Sequence, residues 1–171
     1  YIAPNNIGGA GTVNLDNGTL IVTGDMQVGS DFWGQGTISD GHFNMSGGTV
    51  NIGNLFEVGH LGMGVTSGTS DATIAGGTLN VENDLKLGFA GNSGTTARML
   101  ITGGATVNVA SANTRWVILG QWDPTDISMV VSNGGTLNLN AGTDIQFGIG
   151  NNSGVRVLTV DGGTIQGTAA G

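Results

Sequence analysis

The sequence predicts an all-β fold, a right-handed parallel β-solenoid (β-helix) of about five three-strand coils with 28–30 residues each. Three observations carry this expectation. One stretch of twelve residues recurs along the chain at a nearly fixed period. Each period holds three short alternations of apolar and polar residues. Glycine, 34 of 171 residues against only 2 prolines, falls at fixed places beside those alternations. Glycine at this level without a period would suggest disorder, but here it punctuates strands.

The reference copy is residues 77–88, GTLNVENDLKLG, and residues 18–29 (GTLIVTGDMQVG) and 48–59 (GTVNIGNLFEVG) align with it without gaps. Residues 104–120 and 135–148 carry longer versions, and Gly163 begins one more. The threonines at 19, 49, 78, 106, 136 and 164 are spaced by 30, 29, 28, 30 and 28 residues. A period of this length marks a repeat architecture whose units bury little alone and gain a core by stacking.

Taken in order, residues 1–17 hold one partial copy, Thr12-Val13-Asn14-Leu15, where a third strand would sit. The segment is repeat-like and not amphipathic, so it reads as an unfinished coil rather than a cap. The first strand of each coil then presents Leu20, Val50, Leu79, Val107, Leu137 and Ile165 inward, the alternation of a half-buried strand. The second presents Met26/Val28, Phe56/Val58, Leu85/Leu87, Val117/Leu119 and Ile145/Phe147, each pair closed by a glycine. The third presents Phe43/Met45, Ala72/Ile74, Met99/Ile101, Met129/Val131 and Leu158/Val160. Its fourth copy is displaced by one residue relative to the following Gly-Gly, which predicts a bulge or slip there. Residues 162–171 supply a first strand and a tail of small residues. Successive coils ~4.8 Å apart form three parallel sheets around an aliphatic interior, and parallel crossovers favour the right-handed path. An antiparallel sandwich of short strands would give no reason for one period to persist. One domain, residues 1–171, is expected.

The formal charge is −8, with Lys86, Arg98, Arg115 and Arg156 the only strongly basic residues. These are isolated along the chain, so a phosphate-tracking surface and nucleic acid binding are not expected. No apolar run approaches the ~20 residues of a helical membrane span. The absence of cysteine fits export. A start at Tyr1 rather than Met predicts a processed chain, its signal peptide removed, or a piece of a longer one.

Candidate chemistry is sparse, and no enzyme is expected. His42 and His60 lie in different coils without carboxylate or cysteine at ligand spacing. Asp123 and Asp126, in Asp-Pro-Thr-Asp, are the one place calcium could be held, although Asp-Pro also starts turns and no Gly-Asp calcium repeat is present. The GxxGxG pattern in residues 59–68 has no helix pattern after it, so it does not read as a phosphate loop. Glu57 and Lys86 are expected as stacked neighbours on an exposed ladder, worth about 0–1 kcal/mol. Of two sequons, at Asn17 and Asn44, the second places its Asn outward on a strand. After each second strand comes the largest loop of the coil, with an apolar residue early in it. Phe32, Trp33, Phe89 and Trp122 lead this column, which either folds under the corner or forms a strip for lateral or glycan contact.

The Gly-Gly-Thr-Leu-Asn-Val and Leu-Lys-Leu-Gly signatures resemble the β-strand repeats of bacterial autotransporter passengers. They are also similar to repeats of large secreted bacterial surface proteins with C-terminal sorting signals. The resemblance spans about residues 18–166. It implies an exported, cell-surface or matrix location and brings no catalytic residues. The outer-membrane barrel and sorting tail of those proteins have no counterpart within these 171 residues.

The function expected is structural: a secreted subunit that assembles head to tail into an extracellular filament, surface layer or biofilm matrix. Two alternatives fit the same repeat pattern. One is a glycan-binding β-helix, less readily a glycan-degrading one, because Arg98, Arg115 and Arg156 lack the acidic cluster that lyase chemistry on this fold uses. The other is ice binding by outward columns of Thr49, Thr78, Thr106 and Thr136 with Asn51, Asn80, Asn108 and Asn138, a ladder broken at its ends by Ile21 and Gln166. For self-assembly, Thr12, Val13 and Leu15 would meet Thr164, Ile165 and Gln166 of another copy. From Thr164 through Gly171 and on to Thr19 of the next copy is 26 residues, close to one period, and Ile2 then falls nine residues after Thr164, the offset of Val28 and Leu87 from their own threonines.

Overall fold

The structure is a computed structural model that describes residues 2–4, 9–31, 39–61, 68–89, 95–109, 115–121, 126–140, 142–150 and 154–167, with side chains for all of these except 2–4, 9, 30–31, 39 and 60–61. Among the described residues every regular element is a strand. The chain opens with β1 (Ile2–Pro4) and β2 (Gly9–Leu15). Five sets of three follow: β3 (Thr19–Val22), β4 (Met26–Asp31) and β5 (Ser39–Met45); β6 (Thr49–Ile52), β7 (Phe56–Leu61) and β8 (Gly68–Ile74). Next come β9 (Thr78–Val81), β10 (Leu85–Phe89) and β11 (Thr95–Ile101); then β12 (Thr106–Val109), β13 (Trp116–Gln121) and β14 (Asp126–Ser132). The last set is β15 (Thr136–Leu139), β16 (Asp144–Ile149) and β17 (Arg156–Asp161), and β18 (Thr164–Gly167) starts a further one.

The strands form three six-stranded parallel sheets, β1-β4-β7-β10-β13-β16, β2-β5-β8-β11-β14-β17 and β3-β6-β9-β12-β15-β18. Each strand therefore pairs with its own equivalent one coil away, which is a β-solenoid. The three inward patterns predict the registers: Leu85 lies between Phe56 and Val117, Met99 between Ala72 and Met129, and Val107 between Leu79 and Leu137. Stacking makes one continuous core, in which Val28, Phe43, Val50, Phe56, Leu79, Leu85, Met129 and Leu137 are all fully enclosed.

Four local expectations are corrected. β14 keeps perfect register with both neighbours, so no bulge interrupts the fourth third-strand. The extra residue is absorbed in the corner instead. Ser132 to Gly135 forms a turn in which the Gly135 N–H donates to the Ser132 carbonyl at 2.8 Å, with positive φ at both central residues, Asn133 and Gly134. An Asn-Gly pair adopts that geometry at low cost, so the strand need not slip.

The second-strand glycines do not close their strands. Gly29 has φ +65° inside β4, and pairing resumes beyond it at Ser30 with His60. A Cβ at Gly29 would lie 1.8 Å from Ser70 Oγ, so this corner has room for hydrogen only.

Glu57 and Lys86 are neighbours in register, as expected, but Glu57 is only 1 % exposed and accepts a hydrogen bond from Gln27 Nε2 at 2.8 Å. Lys86 Nζ lies 3.7 Å from Asp84. The outward face of this sheet is covered at Gln27, Glu57 and Ile118, so the exposed-ladder reading fails.

Finally, Gln166 extends the Asn ladder rather than breaking it, donating from Nε2 to Asn138 Oδ1 at 2.8 Å. Its longer side chain spans the same strand spacing as asparagine. Only Ile21, 67 % exposed, interrupts the column.

Candidate functional site

Among the described residues the interior of the solenoid is one packed, mostly apolar core and offers no site. What distinguishes particular residues is their height along the stack. In the first sheet the column Val28, Val58, Leu87, Leu119 is fully buried, yet the next member, Phe147, is 51 % exposed. In the second sheet Ile74, Ile101 and Val131 are fully buried and Val160 is 52 % exposed. The third sheet runs from buried Leu137 to half-buried Ile165. These are core residues by position and surface residues by exposure.

The opposite face is open in a milder form. Val13, Leu15, Leu20 and Val22 pack on the core but are only partly buried. Ile2 is in register with Val28, so β1 already occupies the second-strand position of the partial coil. Thr12 is exposed on the outward side, aligned with His42, while Val13 and Leu15 sit on Phe43 and Met45. At the other end Thr164 is exposed and Gln166 carries the last amide of the ladder. The seven residues assigned to an assembly interface thus lie on the two end faces, and the chain does not bring the two faces together.

A further gradient is invisible to hydrophobic patterning. The inward column at the start of the second sheet reads Gly11, Gly41, Ser70, Ala97, Ile127, Arg156. It widens along the axis from a bare hydrogen to a guanidinium. The Arg156 side chain folds back against Gly120 of the preceding coil, where a Cβ would meet Nε at 2.2 Å, and Nη1 donates to the Gly154 carbonyl. The two ends of this column are its smallest and its largest members.

The stack also has a polarity. In the amide ladder each Nδ2 donates toward the amino-terminal end: Asn80 to Asn51 at 2.8 Å, Asn108 to Asn80 at 2.7 Å and Asn138 to Asn108 at 2.7 Å. Aspartates at or next to the start of a strand accept backbone N–H groups from the next coil. Thr69 N donates to Asp40 Oδ1 at 2.7 Å, Trp116 N to Asp84 at 3.2 Å and Val155 N to Asp126 at 2.9 Å. The signal for two of these caps, an Asp directly before the apolar residues Leu85 and Ile127, is present in the sequence but reads as ordinary turn chemistry.

The other candidates separate. Asp126 is engaged as just described, Asp123 lies outside the described residues, and among the described residues no group of three potential ligand side chains gathers. His42 Nδ1 lies 2.8 Å from Asp71 Oδ2, a half-exposed pair on the outer face; the His60 side chain is outside the described residues. Arg98 faces outward between two shallow grooves bordered by Asp71 and Leu100 on one side and Asp126 and Val157 on the other. Arg115 Nε donates to Asn83 Oδ1 at 3.2 Å. Phe32, Trp33 and Trp122 lie outside the described residues; Phe89 is half-buried, in register with His60 and Gln121. Among the described residues no helix is long and apolar enough to cross a membrane.

Neither family models, curated proteins nor solved structures match this chain.

Proposed function

We propose that this protein is a structural solenoid subunit that stacks head to tail into a filament or layer outside the cell. The observation that carries the reading is the paired exposure of Phe147 and Val160 directly over fully buried Leu119 and Val131. Strand edges that present both unpaired backbone and apolar columns invite another chain. A second copy supplies matching edges: its β1, β2 and β3 continue the sheets of β16, β17 and β18. Val160 then meets Leu15, Ile165 meets Leu20, and Arg156 comes into register with Gly11. Such a contact is heterologous and does not close, so it propagates with one polarity. The secreted location rests on the repeat resemblance and the lack of cysteine. Lateral or glycan contact through Phe32, Trp33, Phe89 and Trp122 is a secondary role compatible with this assembly.

The test uses Val160→Lys, which places a charge on an edge column that is already half open, so the monomer should melt as wild type does. Wild type should form filaments visible by negative-stain electron microscopy, and the variant should sediment as a monomer. Wild type that remains monomeric at high concentration, or a variant that still polymerises, overturns the reading.

A further inference from the structure

One outward column, just past the end of each third strand, is uncharged along its length and acidic at both ends. It runs Asp16, Ser46, Ala75, Thr102, Ser132, Asp161. The Ser46 hydroxyl donates to Asp16 Oδ1 at 2.9 Å, and the Ser132 hydroxyl donates to Thr102 Oγ1 at 3.2 Å. Ser132 is in register with Asp161. Small neutral side chains fill the interior rungs, where neighbours are one strand spacing apart. Both aspartates are exposed, and five strand spacings, ~24 Å, separate them within one molecule.

Stacking two copies removes that separation. If Val160 of one copy lies under Leu15 of the next, Asp161 lies under the next copy's Asp16 at one spacing, ~4.8 Å. We propose that this pair makes the head-to-tail junction a charge gate, in which ionic strength sets whether subunits join; the inference rests on the head-to-tail reading. The cation nearest in sequence at the same end of the stack, Arg156, does not neutralise the pair, because its guanidinium folds down against Gly120 of the preceding coil. Lys86, Arg98 and Arg115 belong to earlier coils. Asp144 and Gln166 share the end face but occupy other columns. Two like charges on adjacent rungs oppose association in dilute salt, and counter-ions weaken that opposition as the Debye length shortens toward the spacing of the pair. The apolar columns then decide the equilibrium. The device keeps subunits apart where they are concentrated at low ionic strength and joins them where salt is higher.

Charge reversal at either end isolates the gate. In sedimentation velocity from about 20 mM to about 0.5 M sodium chloride, wild type should associate more strongly as salt rises. Asp161→Lys and Asp16→Lys each turn the contact into an attraction, and each should associate about tenfold more strongly than wild type at the low-salt end, with the salt dependence reversed. The double variant restores like charges and should return to wild-type behaviour. Asp144→Lys, on the same face but in another column, should change association far less. The two exposed positions and their melting curves check that the fold is intact, and each single variant reports on the gate without the other. If wild type and the three charge combinations associate equally in low salt, or if Asp144→Lys acts as strongly as Asp161→Lys, the gate is wrong while head-to-tail assembly stands. If none of them associates at any salt concentration, the head-to-tail reading itself falls.

Discussion

The ring of Phe43 meets the ring of Phe56 edge-on, with centroids 6.1 Å apart and planes at 74°. The contact joins the end of one coil to the second strand of the next across the interior, and both side chains are fully buried. Edge-to-face pairs of this kind add about 0.5–1.5 kcal/mol beyond their burial. Phe56→Ala should therefore cost about 3–5 kcal/mol, the range for removing a buried aromatic. Urea unfolding of the monomer checks it; a loss near that of a surface substitution would mean that the core columns are not as described.

Leu85 tests the register one coil further on, between Phe56 and Val117. Leu85→Ala should lower stability by about 2–5 kcal/mol. Lys86→Ala, one residue away and partly exposed, should change it by about 0–1 kcal/mol. Reversal of that order would show that the second strand is turned by one residue.

The amide ladder predicts a positional effect. Asn108 both donates to Asn80 and accepts from Asn138, so Asn108→Ala removes two hydrogen bonds. At the usual net value the loss is about 1–2 kcal/mol. Gln166→Ala removes only the terminal bond to Asn138 and should cost about 0.5–1 kcal/mol. Thermal melts of both variants that coincide with wild type would show that the ladder contributes nothing.

Glycine at position 29 predicts a steric and a conformational cost together. Gly29→Ala combines φ +65° with a Cβ overlapping Ser70 Oγ, whereas a Cβ at Gly24 meets nothing within 4 Å. The left-handed backbone alone costs an Ala about 1–2 kcal/mol. Gly29→Ala should destabilise by at least that much, and Ser70→Gly in the same chain should recover the steric part but not the conformational part. Gly24→Ala should be tolerated. Full recovery in the double variant would assign the whole effect to packing.

Much of the architecture was already determined by the sequence, for a reason specific to stacked repeats. When each strand pairs with its own equivalent, the neighbours of Leu85 are the residues at the same place in the repeat, Phe56 and Val117. A period near 29 and an alternation of two then specify sheets, faces and register together. Residues 12–15 and 164–166 are recognisable by the same rule as pieces of a coil, and they form parts of β2 and β18.

Other features were decided only when the chain closed in three dimensions. The extra residue before Thr136 could enter the strand or the corner; the corner took it, because Asn133 and Gly134 accept positive φ and the β14 registers stay whole. Glu57 has an outward position by alternation, yet tertiary packing covers that face and leaves the carboxylate bonded to Gln27. Gln166 differs in type from the asparagines before it, and only the reach of its side chain across one strand spacing shows that it continues their ladder. Asp16 and Asp161 are 145 positions apart and share no motif. Their common column follows from five successive registers, because a solenoid turns sequence distance into height and leaves lateral position unchanged.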